Sequence, residues 1–161
     1  MSLITAYSLP EHRDNPVVVG SADDLVAAVS ELVDADNEYC SYMSVFVTNP
    51  AGAHTSYLGI GVDAARNCGS ILFQGEGGEY YTQGADEGSS EELVRYLDFG
   101  NERVFPRNSQ IDINQLKQAL VDFYDGNFSR SSSLKWQVWS GPEIDVGDVS
   151  DLPPNLTDPW S

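Results

Sequence analysis

Residues 70–84, SILFQGEGGEYYTQG, constrain the fold of this chain more than any other stretch. An apolar run at 71–73 leads into a glycine-rich, acidic tip at 75–78, and the chain returns through Tyr80 and Tyr81. Two β-forming runs joined by a few residues that include glycines predict a β-hairpin. Because both arms carry large apolar or aromatic groups, we expect the hairpin in the middle of a sheet, with its acidic tip exposed.

The remaining apolar patterns predict an α+β fold. Residues 22–33 and 113–124 carry apolar side chains at helical spacing. Besides the hairpin, strands are predicted at 3–9 (as an edge strand), 42–48, 57–62, 93–99 and 134–139. Because consecutive strands usually pair antiparallel, we expect an antiparallel sheet of about five or six strands packed against two helices.

Two local signals mark particular positions in these elements. Asp112 and Gln115 have the spacing of a capping box at the start of the second helix, and Gly126 is expected at C′ beyond its end. Gly59 and Gly61 lie inside the strand predicted at 57–62. Glycine within a strand indicates a bulge or the close approach of another group to the backbone.

The length of 161 residues fits one domain. We assign residues 1–141 to a single α+β domain and residues 142–161 to a C-terminal tail. The tail holds five acidic residues, four prolines and no basic residue, a composition typical of a poorly ordered or surface-lying segment.

The net charge of −17, from 25 acidic and 8 basic residues, restricts the partners of the chain. Such a surface repels nucleic acid and anionic membranes and favours a basic protein partner. The same composition also fits an acidic, salt-adapted structural protein without a specific partner. The sequence carries no signal peptide and no apolar run of membrane-spanning length. Cys40 and Cys68 are expected as buried free thiols, so we expect a cytoplasmic location.

The pattern of polar residues predicts no catalytic, cofactor or metal site. His12 and His54 are isolated, and the GEGG sequence at 75–78 is followed by a strand and has no lysine nearby, unlike a phosphate-binding loop. A non-catalytic binding protein is therefore the leading class. The alternative is a small-molecule-binding or enzymatic domain that uses a pocket near Trp136 and Trp139.

The order of several short motifs resembles a known family. The chain has, in order, an Asn-Pro turn at 49–50, LGIGV at 58–62, GGxYYxxG at 77–84, Val-Phe-Pro at 104–106, Asp-Gly at 125–126 and Trp-Gln at 136–137. From about residue 44 to residue 139, this order resembles the Imm1 immunity-protein family of bacterial polymorphic toxin systems.

The resemblance implies a small antidote that binds a cognate toxin domain and blocks its active site, with no catalytic residues of its own. In this family the toxin is often deaminase-like and acts on DNA. Together with the charge, this predicts a basic toxin domain held in a 1:1 complex by an aromatic anchor inside an acidic rim. The predicted rim residues are Glu76, Glu79, Asp86, Glu87, Glu91 and Glu92. Tyr80 and Tyr81 are the predicted anchors, and alternation along the strand allows at most one of them to be exposed.

Overall fold

An eight-stranded antiparallel sheet forms the centre of the molecule. The computed structural model describes residues 2–7, 15–34, 41–75, 78–84, 93–98 and 101–139. The sheet has five long strands: β1 (Leu3–Tyr7), β3 (Tyr42–Thr48), β4 (His54–Asp63), β5 (Cys68–Gly75) and β6 (Gly78–Gln83). Its short strands are β2 (Val17–Val18), β9 (Ile111–Asp112) and β10 (Lys135–Gln137). The spatial order is β10-β6-β5-β4-β3-β1-β2, and β9 pairs with β5.

The remaining elements are two helices and one separate hairpin. The helices are α1 (Ala22–Asp34) and α2 (Ile113–Asp125), and strands β7 (Leu93–Asp98) and β8 (Asn101–Pro106) pair only with each other in the described structure. The predicted α+β fold is confirmed, and so is the hairpin at 70–84, which is formed by β5 and β6. Because β5 lies between β4 and β6, the hairpin has the interior position that its apolar arms predict.

Two sequence-based assignments of strands were wrong in detail. The strand predicted at the edge, β1, has neighbours on both sides, because the two-residue strand β2 pairs with it through Thr5 and Ala6. The strand predicted at 93–99 does not join the main sheet and belongs to the separate hairpin. Residue 99 and residues 8–9, which extended these predictions, lie outside the described residues.

Both helices pack on one face of the sheet and against each other. Because alternate residues of a strand point to opposite faces, β3 sends Met43, Val45 and Val47 toward the helices. Helix α2 packs Leu116 and Leu120 into the same core, and all five side chains are fully buried. Burial of each such aliphatic side chain contributes about 1.5–3 kcal/mol to folding, so this helix-side core contributes strongly to stability.

Helix α2 begins as predicted but ends differently. The Asp112 carboxylate accepts a hydrogen bond from the backbone of Asn114, and Gln115 completes the capping box. Gly126 has φ −92°, so it does not adopt the left-handed conformation typical of a C′ glycine. That conformation occurs instead at Asn127 and Phe128, where the backbone N–H of Phe128 donates to the Phe123 carbonyl at 2.8 Å.

The β7–β8 hairpin packs on the opposite face of the sheet. Its Tyr96 and Phe105 form a second, smaller core cluster with Tyr42 and Tyr81 of the sheet. The ring of Phe105 meets the other three rings edge to face, with centroid distances of 5.3–6.1 Å. Tyr96 lies directly over Gly61, where a Cβ atom would collide with the ring. The predicted close approach at this glycine is therefore confirmed.

Candidate functional site

A groove of about 500 Å³ opens between the β7–β8 hairpin and the part of the sheet that this hairpin leaves uncovered. We call it the aromatic groove. Its lining residues are Tyr42, Phe46, His54, Tyr57, Leu72, Gln74, Tyr81, Glu102, Arg103, Val104 and Phe105. Concave, mostly apolar surfaces with a few polar groups are the usual form of a binding site.

The floor of the aromatic groove follows from strand register. Phe46 of β3 pairs with Tyr57 of β4, Tyr57 pairs with Gln74 of β5, and Gln74 pairs with Glu79 of β6. Because directly paired residues point to the same face, these four side chains form one row across four strands. We call it the cross-strand row. It has aromatic rings at one end and a carboxylate at the other.

Buried hydroxyl groups give the groove a polar floor. The hydroxyls of Tyr42 and Tyr57 are hydrogen-bonded at 2.6 Å, and the Ser44 hydroxyl lies 3.2 Å from that of Tyr57. Burial raises the pKa of both tyrosines above the usual value, most strongly for Tyr42. These hydroxyls therefore stay protonated at neutral pH, and they provide hydrogen bonds rather than charge.

Two ion pairs stabilise the hairpin wall of the groove. Arg103 donates from Nε and Nη2 to Oδ2 of Asp98, at 3.0 and 2.9 Å, and its guanidinium lies 5.5 Å from the Tyr42 ring centroid. In the second pair, Arg95 Nε lies 3.3 Å from Oε2 of Glu102. The charges of this wall are thus largely compensated within the hairpin.

Glu79 stands at the sheet side of the groove in a different environment. Its Oε2 accepts a hydrogen bond from the Gln74 side-chain amide at 2.8 Å, and its Oε1 accepts one from the Tyr81 hydroxyl at 3.4 Å. Both of these partners are uncharged, and Glu79 itself is exposed. Burial, together with the nearby Glu79 charge, raises the pKa of Tyr81. The arrangement places a carboxylate beside Gln74 and Tyr81, two residues that line the groove.

The structure describes three of the eight predicted toxin-binding residues. Glu79 and Tyr81 lie on the groove face, whereas Tyr80 lies on the helix face, beneath the guanidinium of Arg130 at 3.7 Å from its ring centroid. The two tyrosines therefore point in opposite directions, as alternation along the strand predicts. The other five lie outside the described residues: Glu76, Asp86, Glu87, Glu91 and Glu92.

Most residues of the groove were not identified from the sequence. Tyr42, Tyr57 and Phe105 come from strands far apart in the chain, and no motif links them. The available signal was the pair Gly59 and Gly61, which indicated a bulge or the close approach of another group to the backbone. It did not identify the residues that pack there, because the pairing is non-local.

The alternative pocket near Trp136 and Trp139 is not found among the described residues. Trp136 packs into the helix-side core against Phe73, while Trp139 packs on the other face against Tyr81. The cavity beside Trp136 has a volume of about 10 Å³, enough for about one water molecule. The two tryptophans thus do not share a site, because the sheet separates them.

Other features of the described residues are unremarkable. Cys68 is a free thiol, but it is partly exposed rather than buried as expected, and burial of its sulfur still raises its pKa. Cys40 lies outside the described residues.

Within the described ranges, no three His, Cys, Asp or Glu side chains are grouped to hold a metal ion. Neither described helix is long and apolar enough to cross a bilayer.

Comparison with known proteins identifies the family of the chain. No curated protein matches the chain. A family model described as Immunity protein Imm1 matches residues 13–138, which include both helices, the aromatic groove and nine of the ten strands. This match spans more than three quarters of the sequence and agrees with the resemblance of the motif order. The chain therefore belongs to the Imm1 family of immunity proteins, whose function implies binding to a cognate toxin.

Proposed function

We propose that this immunity protein neutralises a basic, nucleic-acid-targeting toxin of the deaminase type by covering the toxin's active site with an acidic surface. The complex has 1:1 stoichiometry and forms in the cytoplasm. The observation that carries the proposal is the net charge of −17. Enzymes that act on nucleic acids hold phosphates with Lys and Arg. An acidic protein can occupy that surface in place of the substrate, and charge attraction accelerates its association.

The β5–β6 hairpin is the proposed centre of this surface. Glu79 presents its carboxylate beside the aromatic groove, and Tyr81 contributes a ring at the same place. Tyr80 is the weaker anchor of the two, because it packs toward the helices. The acids predicted at the hairpin tip and beyond it extend the same surface in the proposal: Glu76, Asp86, Glu87, Glu91 and Glu92.

The chemistry of the groove supports a binding role rather than catalysis. A general acid or base works best when its pKa is close to the working pH. Burial raises the pKa of Tyr42, Tyr57 and Tyr81 above the usual value for tyrosine, and therefore further from neutral pH. Their hydroxyls are therefore suited to hydrogen bonding in a non-catalytic interface.

The test is co-expression with the toxin domain encoded beside this gene. We expect growth to be restored, and we expect a complex that co-purifies at low salt with a Kd that rises as salt is added. Failure of the wild-type chain to bind the toxin or to protect the cell would overturn the proposal. A Kd independent of salt would remove its electrostatic part.

Glu79→Lys tests the location of the surface against Glu31→Lys. Glu31 is an exposed residue of α1, across the sheet from the groove. Because both variants replace glutamate with lysine, they change the net charge by the same amount. We expect Glu79→Lys to raise the Kd by about tenfold more than Glu31→Lys. Equal effects of the two substitutions would show that only the overall charge matters and that the hairpin is not the contact.

A further inference from the structure

We propose that the aromatic groove binds an arginine side chain of the toxin, whose guanidinium lies along the cross-strand row between Tyr57 and Glu79. The inference rests on the proposed function, because the occupant is a segment of the cognate toxin. It adds a defined contact with the toxin to the proposed acidic surface. Three observations support it: the charge at the groove, its geometry and the behaviour of the protein's own arginines.

The charge at the groove favours a cation. Three other charged side chains of the wall, Asp98, Arg103 and Glu102, each have an oppositely charged neighbour within 3.3 Å. Glu79 is hydrogen-bonded to a neutral amide and a neutral hydroxyl, so its negative charge is not compensated by those bonds. The net charge of the whole chain has the same sign. A positively charged group that enters the groove beside Gln74 and Tyr81 therefore gains an ion pair with Glu79.

The spacing of the cross-strand row fits a guanidinium. Neighbouring strands lie about 4.8 Å apart, so a planar cation above Gln74 is about 5 Å from both Tyr57 and Glu79. At that position one side can donate paired hydrogen bonds to the carboxylate while the other contacts the aromatic ring. Arginine suits this place better than lysine, because its guanidinium is planar and more weakly hydrated.

The protein's own arginines show how tyrosine rings of this sheet accept guanidinium groups. Arg103 lies over Tyr42, with its guanidinium carbon 5.5 Å from the ring centroid, and Arg130 lies over Tyr80 at 3.7 Å. Tyr57 lines the groove beside Tyr42 and is only partly buried. A toxin arginine would repeat at Tyr57 a contact that the fold already makes twice.

The size of the groove is consistent with a central contact of an interface. A volume of about 500 Å³ accommodates one long side chain together with parts of its neighbours. Desolvated aromatic pockets surrounded by polar groups, with Arg among the favoured residues, are typical of the few contacts that dominate a protein–protein interface. The groove therefore corresponds to the energetic centre of the proposed acidic surface.

Gln74→Trp tests the groove without changing charge. Gln74 is exposed on the groove floor, so a larger side chain there fills the groove without entering a core. Gln118→Trp on the exposed side of α2 is the matched control, and Gln74→Ala removes the hydrogen bond to Glu79 without filling the space. We expect Gln74→Trp to raise the Kd for the toxin domain by about 30-fold and Gln118→Trp by less than about twofold.

The identity of the bound side chain is tested by double-mutant cycles. Each exposed arginine of the toxin domain is changed to alanine, alone and in combination with Glu79→Gln. We expect one arginine whose loss raises the Kd by about tenfold or more in the wild-type background and much less when Glu79→Gln is already present. Additive effects for every arginine would overturn the proposal.

The outcomes separate this inference from the function on which it rests. If the wild-type chain does not bind the toxin domain, both are wrong. If it binds and Gln74→Trp binds as tightly as Gln118→Trp, the groove is not the contact, and the toxin-binding function stands. Loss of binding by Gln74→Trp with retention by Gln74→Ala supports occupation of the groove.

Discussion

Gly61 shows how one missing side chain determines the shape of the groove face. Because Gly61 has only a hydrogen atom in place of a side chain, the ring of Tyr96 packs directly against β4, and the β7–β8 hairpin comes close to the sheet. In the same way, the missing side chain of Gly59 leaves room for the hydroxyl of Tyr42, which a Cβ atom would displace. The two glycines in the LGIGV segment thus allow the second core cluster to form, and this cluster makes one wall of the groove.

We predict that Gly61→Ala lowers the free energy of unfolding by about 1–3 kcal/mol, because the added methyl group displaces the buried ring of Tyr96. Urea unfolding measures the loss, and near-UV circular dichroism reports the movement of the aromatic rings. Gly20→Ala is the control, since a Cβ there meets only an ordinary contact with Asp24. An unchanged stability for Gly61→Ala would mean that Tyr96 has room to move.

Among the elements, the β7–β8 hairpin contains two ion pairs of very different exposure. The side chains of Arg103 and Asp98 are 27% and 8% exposed, whereas those of Arg95 and Glu102 are 55% and 61% exposed. Removing one partner of a buried pair leaves a charge without compensation, while an exposed pair is already screened by water. The hairpin therefore provides an internal comparison of the two cases.

We predict that Asp98→Asn destabilises the protein by about 2 kcal/mol and Glu102→Gln by less than about 0.5 kcal/mol. Chemical denaturation gives both values, and hydrogen exchange of the β7 and β8 amides locates the change. Similar losses for the two variants would show that the Asp98 carboxylate is as well solvated as that of Glu102.

At the level of elements, sequence patterns predicted local structure well and distant pairing poorly. Helix α2 and the β5–β6 hairpin are encoded by nearby residues, through a capping box and a glycine-containing turn, and both were found. Strands β2 and β9 have two residues each, which is too short for any period to be detected. Placement of β7 outside the main sheet depends on Tyr96 meeting Gly61, a contact between distant residues. The groove was missed for the same reason.

At the scale of the whole molecule, buried tyrosines link stability to alkaline pH. Burial raises the pKa of Tyr96 to about 12, and it also raises the pKa of Tyr42. Above pH 10 the unfolded chain releases these protons while the folded chain keeps them, so the free energy of unfolding falls as pH rises. The stabilisation is complete below pH 10. For Tyr96 it is lost as pH rises through about 12.

We predict a decrease of up to about 1.4 kcal/mol per pH unit for each of these tyrosines between pH 10 and the pKa in the folded protein. Urea unfolding at pH 8–11 measures the slope, and Tyr96→Phe should reduce it while leaving the Tyr42 contribution in place. Equal slopes for the wild type and Tyr96→Phe would contradict the assignment.

Under the proposed function, the sheet separates the larger core from the binding surface. The larger core lies between the helices and one face, while the cross-strand row lies on the other face, beside the smaller aromatic cluster. We expect exchange of an exposed residue on that second face to change stability by only a few tenths of a kcal/mol, while under the proposed function it changes the surface that meets the toxin. Related proteins can therefore adapt to changes in their toxins by substitutions on one face of the sheet, while the larger core on the other face maintains the fold.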